Sequence, residues 1–157
     1  MPYKNPDDKR KQSNRYYHSH KEECKASTKR WYDANHEYAI EAKSRWKRAN
    51  PFRAKASALL NNANRRALDR GLDCSISLDW VTAQLEKGCA LSGLPFEMNP
   101  NGVMSPYSPS LDRIDPTKGY TEENTQAILQ GVNGLKLNGT NEDVINIAKS
   151  ICMYVPE

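Results

Sequence analysis

The chain has 157 residues, of which 38% are hydrophobic and 27% charged, with a mean hydropathy of -0.85. That is enough for one modest domain and an extended arm, and too little for two large cores. It has no apolar run of about 18 residues, and its start, MPYKNPDDKRKQ, lacks a signal-like apolar stretch, so a cytoplasmic protein with no membrane partner is expected.

The net charge of +4 is unevenly spread. Residues 1–75 carry 18 Lys+Arg against 9 Asp+Glu, and residues 76–157 carry 5 against 10. A basic half poor in aliphatic side chains points to a polyanion, DNA or RNA, rather than to a small-molecule substrate. The four cysteines, Cys24, Cys74, Cys89 and Cys152, are widely spaced and form no C-x-x-C pair. Reduced structural thiols are expected, with neither a disulfide framework nor a zinc ribbon.

Between Arg15 and Ser57 the chain repeats with a period of 15 residues. Arg15-Tyr16, Arg30-Trp31 and Arg45-Trp46 stand in register, followed by Tyr17, Tyr32 and Lys47 and then by His20, Asn35 and Asn50. The segment is rich in Ala, Lys, Arg and Glu and free of Gly, which predicts helix over about residues 12 to 49. At about 1.5 Å per residue, each repeat advances about 22 Å. An arginine beside an aromatic can hold a phosphate and cover a sugar or base in one place, so Arg15, Tyr16, Arg30, Trp31, Arg45, Trp46, Lys47 and Arg48 are candidate nucleic-acid contacts. The competing account is that the aromatics pack against other helices. His18, His20 and His36 read as polar surface.

Pro51 interrupts the pattern, and FRAKASALLNNANRRALDRG predicts a second helix with Ala58, Leu59, Ala63 and Leu68 on its apolar side and Gly71 as its stop. Arg65, Arg66 and Arg70 extend the basic surface. Ser77 can cap a third helix, LDWVTAQLEKG, with Trp80, Val81 and Leu85 on its apolar face and Gly88 at its end.

From Cys89 the pattern changes to short apolar pieces between turns. CALSGLPFEM reads as a small hairpin or strand, NPNGVMSPYSP as a loop, SLDRID as a strand and TQAIL as a second strand beside it. Residues 132 to 138 read as a short helix. A last helix starts at Thr140, capped with Asp143, and is expected to bury Val144, Ile147, Ala148 and Ile151.

The run Ser110-Leu111-Asp112-Arg113-Ile114-Asp115, then Gly119-Tyr120, Asn124 and Asn133-Gly-Leu-Lys136, resembles the strand, strand, helix core of the HNH or His-Me finger endonucleases. In that family an Asp-His pair ends the first strand, an Asn opens the second, and an Asn or His on the helix completes a metal site, often with Lys three residues on. The intervals of nine residues from Asn124 to Asn133 and three from Asn133 to Lys136 match. The resemblance covers about residues 89 to 140, and the arm is more loosely similar to helical extensions of phage and mobile-element members, which implies a bacterial host cell.

The resemblance implies an α+β fold: a basic helical N-terminal arm over residues 1–75, then a small ββα-metal, HNH-like module over residues 76–157 with a C-terminal helix. It also implies a metal-dependent DNA endonuclease that cuts or nicks its substrate, with Asp112 and Asn133 as ligands for Mg²⁺ or Mn²⁺. Lys136 would contact the phosphate or the transition state, and Asn124 would orient the catalytic loop.

Two departures matter. Arg113 stands where the family has His, and a guanidinium does not deprotonate at usable pH, so it cannot be the general base. In one reading Arg113 holds the scissile phosphate while a metal-bound hydroxide or Asp115 takes the proton. In another, Arg113 and Asp115 form a salt bridge in a site that no longer cuts, and the chain is a non-catalytic DNA- or RNA-binding protein on an HNH scaffold. Ser92 stands where zinc-bearing relatives place a second Cys after Cys89, so no structural zinc is expected.

Overall fold

The computed structural model describes residues 5–98 and 103–154, so four residues of the NPNGVMSPYSP loop lie outside it. The chain forms two compact units, Met1–Trp46 and Lys47–Glu157. No helix among the described residues is long and apolar enough to cross a membrane.

The described residues of the first unit are mainly helical, but the helix expected over 12–49 is three: α1 (Pro6–Ser19), α2 (Lys21–Ala34) and α3 (His36–Ala49), whose last residues run into the second unit. Pro6 opens α1 without losing a ladder bond, and Asn5 caps it by accepting from the Asp7 amide at 3.0 Å. The interruptions fall at His20 (φ -121°, ψ 31°) and Asn35 (φ -123°, ψ 26°), one residue each. Backbone bonds cross both of them: Cys24 donates to the His20 carbonyl and Ala39 to that of Asn35, each at 2.9 Å. The cause is local. The Asn35 side-chain amide donates to the Trp31 carbonyl at 2.8 Å and His20 Nδ1 lies 3.1 Å from the Tyr16 carbonyl, so a side chain shares the i−4 acceptor with the backbone ladder. The breaks therefore recur at the sequence period of 15. No side chain in these three helices is buried.

The second unit has two layers around a β-hairpin. α4 (Pro51–Arg70) and α5 (Leu78–Lys87) pack together on one side. Gly71 ends α4 in the left-handed conformation (φ 64°), the Ser77 hydroxyl caps α5 by accepting from the Trp80 amide at 3.1 Å, and Gly88 ends α5. The buried stripe of α4 is Ala56, Ala63 and Ala67, with Leu59 half-buried, whereas Ala58 is exposed and Leu68 is 81% exposed. The apolar side expected through Ala58 and Leu68 is thus rotated, because α4 meets α5 and the hairpin through its small residues. α4 thus belongs to the same unit as α5 and the hairpin.

CALSGLPFEM forms a turn and an irregular stretch, not a strand. The strands are β1 (Pro109–Arg113) and β2 (Thr125–Leu129), antiparallel with Leu111 opposite Ala127 and Asp112 opposite Gln126. Leu111 and Ala127 join Ala56, Ala63, Val81 and Leu85 in the main core. Ile128, fully buried, packs on the other face with Cys89, Leu129 and Val132. α6 (Gln130–Lys136) follows β2 directly and contacts both strands, and α7 (Asn141–Tyr154) packs on α6. Thr140 and Asp143 cap α7 reciprocally. Only Val144 of α7 is buried; Ile147, Ala148 and Ile151 are exposed, so most of the face expected to be covered is not. The fold is α+β, with a small two-stranded sheet among helices.

Candidate active site and nucleic-acid interface

Successive strand residues face opposite sides of a sheet, and that periodicity sorts the candidate residues. Ser110 and Asp112 face α6. The Asn133 amide donates to Ser110 Oγ at 2.8 Å, and Lys136 Nζ donates to Asp112 Oδ2 at 2.7 Å. Lys136 is 3% exposed, and its ammonium also meets the carbonyls of Arg113 (2.8 Å) and Ile114 (3.4 Å). All three of its protons thus address protein acceptors, and Lys136 fixes Asp112 and the end of β1 rather than reaching outward. Gln126 donates to the same Asp112 oxygen at 2.8 Å and to Asn141 Oδ1 at 2.8 Å, tying the first residue of α7 into the network. Gln126 and Asn141 carried no motif signal; the register of Gln126 opposite Asp112 is the one feature that could have marked it.

Arg113 lies on the other side. Its guanidinium donates to the Lys118 carbonyl at 3.0 Å and sits 5.3 Å from the centroid of the Tyr120 ring. Arg113 is buried, and it does not pair with Asp115. The reason is that β1 ends at Arg113, so Asp115 falls in the following turn rather than two residues along a strand. There Asp115 accepts from the Thr117 amide (2.9 Å) and hydroxyl (2.6 Å) and pairs with Lys118 at 3.4 Å. The Thr117 hydroxyl above all holds its carboxyl below the usual range, which keeps it ionised and makes it a weak proton acceptor.

Asn124 braces this turn. Its Oδ1 accepts from the Asp115 amide at 2.9 Å, and its Nδ2 donates to the carbonyls of Asp115 (3.1 Å) and Gly119 (2.8 Å). Gly119 then passes so close to the Asp73 backbone that a Cβ would collide with it, while Tyr120 and Asp73 to Ser75 exchange backbone bonds.

No group of three or more His, Cys, Asp or Glu side chains that could hold a metal occurs among the described residues, and all three histidines of the chain precede residue 47. The donor set on the α6 side is instead one carboxylate oxygen, Asp112 Oδ1, and one amide oxygen, Asn133 Oδ1, neither used in a hydrogen bond among the described residues. Hard oxygen donors of this sparse kind suit a hydrated Mg²⁺ or Mn²⁺ completed by waters and substrate phosphate. With Lys136 already on Asp112, they suit it weakly in the absence of phosphate. Near the hairpin, burial raises the affinity of the Cys89 thiol for its proton, but hydrogen bonds from Ser92 and nearby backbone outweigh it and bring the thiol below its ordinary value.

In the arm the aromatics are exposed. Tyr16, Trp31 and Trp46 are 58%, 53% and 46% exposed, each beside an exposed arginine, Arg15, Arg30 or Arg45. His20 stacks on Tyr16 at 4.2 Å, and His36 meets Tyr32 edge-on, so two histidines stiffen the aromatic positions. Tyr17 and Tyr32, one repeat apart, line an open groove of about 440 Å³ with Lys25 and Lys29. Arg45 pairs with Glu41 at 3.0 Å on the surface, a contact worth under about 1 kcal/mol that an incoming phosphate can displace. Lys47, Arg48, Arg65 and Arg66 are exposed.

No protein-family model and no curated protein matches the chain. Among solved structures it is similar to the rare-cutting HNH restriction endonuclease PacI, at 17% identity and a TM-score of 0.48, over 62% of this chain and 77% of that one.

Proposed function

We propose that this protein is a DNA endonuclease: the Arg-aromatic repeats bind the duplex, and the β1-β2-α6 module hydrolyses a phosphodiester bond, one strand per engagement. The observation that carries this is the gathering of Asp112 and Asn133 on the α6 face of the hairpin, both oriented by hydrogen bonds, Asp112 by Lys136 and Gln126 and Asn133 through Ser110. In this reading Asp112 Oδ1 and Asn133 Oδ1 hold a divalent cation. Such a cation supplies charge neutralisation at the phosphate oxygens and lowers the pKa of a water it binds. Lys136 is then a positioning residue that keeps the carboxylate aimed, and Asn124 shapes the 115–119 turn. Arg113 has no proton to accept and acts through Tyr120 and the Lys118 carbonyl.

The exposed aromatics support the binding half of the proposal. Each stands beside an arginine, and that pairing, repeated every 15 residues, suits a phosphate-bearing strand. A second reading, a nucleic-acid-binding protein that does not cut, is favoured by one observation: the Lys136 ammonium already neutralises Asp112. The two separate on supercoiled plasmid with Mg²⁺ or Mn²⁺. The endonuclease predicts nicked circles that disappear with EDTA and in Asn133→Ala. Retained cleavage in Asn133→Ala would overturn the site assignment, and binding without cleavage under every metal would favour the second reading.

A further inference from the structure

A second basic stretch lies outside the first unit. Residues 47–75 carry 7 Lys+Arg against 2 Asp+Glu, and this stretch, with α4, belongs to the unit that contains the hairpin. On α4, Lys55, Asn62 and Arg66 fall at spacings of seven and four residues, which puts them on one face of the helix. That face lines a cleft whose other walls include Ser110, Tyr120 and Gln130. Its volume is about 150 Å³, below the roughly 300 Å³ at which small-molecule pockets begin but ample for one phosphodiester linkage.

Three features give the cleft its chemistry. Neither Lys55 nor Arg66 pairs with a carboxylate among the described residues, although Arg53 on the same helix does, with Asp79 at 2.7 Å. Tyr120 is buried, and the Arg113 guanidinium over its ring sets a fixed cation beside the wall. Ser110 links the cleft to the candidate active site, since its hydroxyl accepts from Asn133.

We infer that this cleft is a second nucleic-acid site, which seats one phosphodiester of a DNA strand between Lys55 and Arg66, with the Asn62 and Gln130 amides donating to the same backbone. It rests on the reading that the chain binds DNA, but not on cleavage.

The test uses the full chain in EDTA, so that nuclease activity plays no part. A fluorescent 20-base-pair duplex is titrated by anisotropy at several salt concentrations, and the side-chain amide resonances of Asn62 and Gln130 are followed by NMR with the same unlabelled duplex. Lys55→Glu/Arg66→Glu is expected to weaken binding at least tenfold and to reduce the slope of log K against log salt by about one, since one phosphate contact contributes about 0.9. The two amides are expected to shift on adding duplex, and to do so also in Trp31→Ala/Trp46→Ala at raised protein concentration. Duplex binding that leaves both amides unmoved would overturn the cleft while leaving the arm's role intact. Failure of the wild-type chain to bind duplex at all would overturn the DNA reading as well. If the double reversal does not fold, the amide shifts of the wild type decide alone.

Discussion

Replacing Lys136 by Met keeps most of the side-chain stem and removes only the ammonium. The loss is large because three acceptors depend on it: the Asp112 carboxylate at 2.7 Å and the carbonyls of Arg113 and Ile114. Asp112 is itself buried and would retain Gln126 as its donor. Removing one partner of a buried ion pair costs about 3–5 kcal/mol, since the surviving charge is desolvated without compensation. At about 2–4 °C per kcal/mol for a chain of this size, the melting temperature should fall by about 6–20 °C. Asp112→Asn/Lys136→Met should recover most of that, because a neutral amide can still accept from Gln126 and only the two carbonyls go unserved, at about 1–2 kcal/mol. Urea unfolding followed by circular dichroism measures both variants. A single variant that loses less than about 1 kcal/mol, or a double variant no more stable than the single, would refute the reasoning.

Other positions make sharp demands of their own. Gly119→Ala forces a methyl group into the Asp73 backbone and should cost about 2 kcal/mol or more by prising the 115–119 turn from residues 73–75; thermal melts would show no loss if that approach were adjustable. Thr125 buries a hydroxyl with no hydrogen-bond partner among the described residues, so Thr125→Val should stabilise by about 1 kcal/mol, and destabilisation would contradict this. The folded carboxyl of Asp115 is depressed by the Thr117 hydroxyl, so its contribution is complete above its unfolded value of about 3.8 and drains as pH falls through the lower folded value. Thr117→Val should therefore raise the pH midpoint of acid unfolding, and an unchanged midpoint in a pH titration would dispose of the link. Trp31→Ala/Trp46→Ala should leave the melting temperature within about 2 °C, since neither ring is buried, while weakening duplex binding at least tenfold; a large melting loss would mean the rings pack.

Much of the fold was legible because its signals are local. Ser77, Gly71, Gly88 and the Thr140-Asp143 pair act within one turn of chain, and each sits where its chemistry required. SLDRID and TQAIL were readable as strands from their short apolar runs between turns. What escaped were consequences of long-range packing. The buried side of α4 is set by where α5 and the hairpin lie, and that selects Ala56, Ala63 and Ala67 over Ala58 and Leu68. α7 looked amphipathic, yet α6 offers cover for little beyond Val144. The 15-residue repeat was visible, but not that His20 and Asn35 would break the helix, because neither is Gly or Pro and the break arises from side chains bonding back to the i−4 carbonyl.

The candidate site divides in the same way. Asp112, Asn133 and Lys136 were picked by resemblance to the HNH motif, and the strand-helix geometry puts all three on one side of the hairpin. One of the two readings of Arg113 paired it with Asp115 along a continuing strand, whereas the turn begins at residue 114 and sends the two apart.

The central proposal, a chain that both holds and cuts DNA, meets its most direct test when one end-labelled duplex is incubated with protein in Mg²⁺ and, in parallel, in EDTA, and each sample is run on native and denaturing gels. The account predicts a retarded complex in both conditions and shortened strands in Mg²⁺ alone. A retarded complex with intact strands in Mg²⁺ and in Mn²⁺, across several unrelated duplexes, would contradict it.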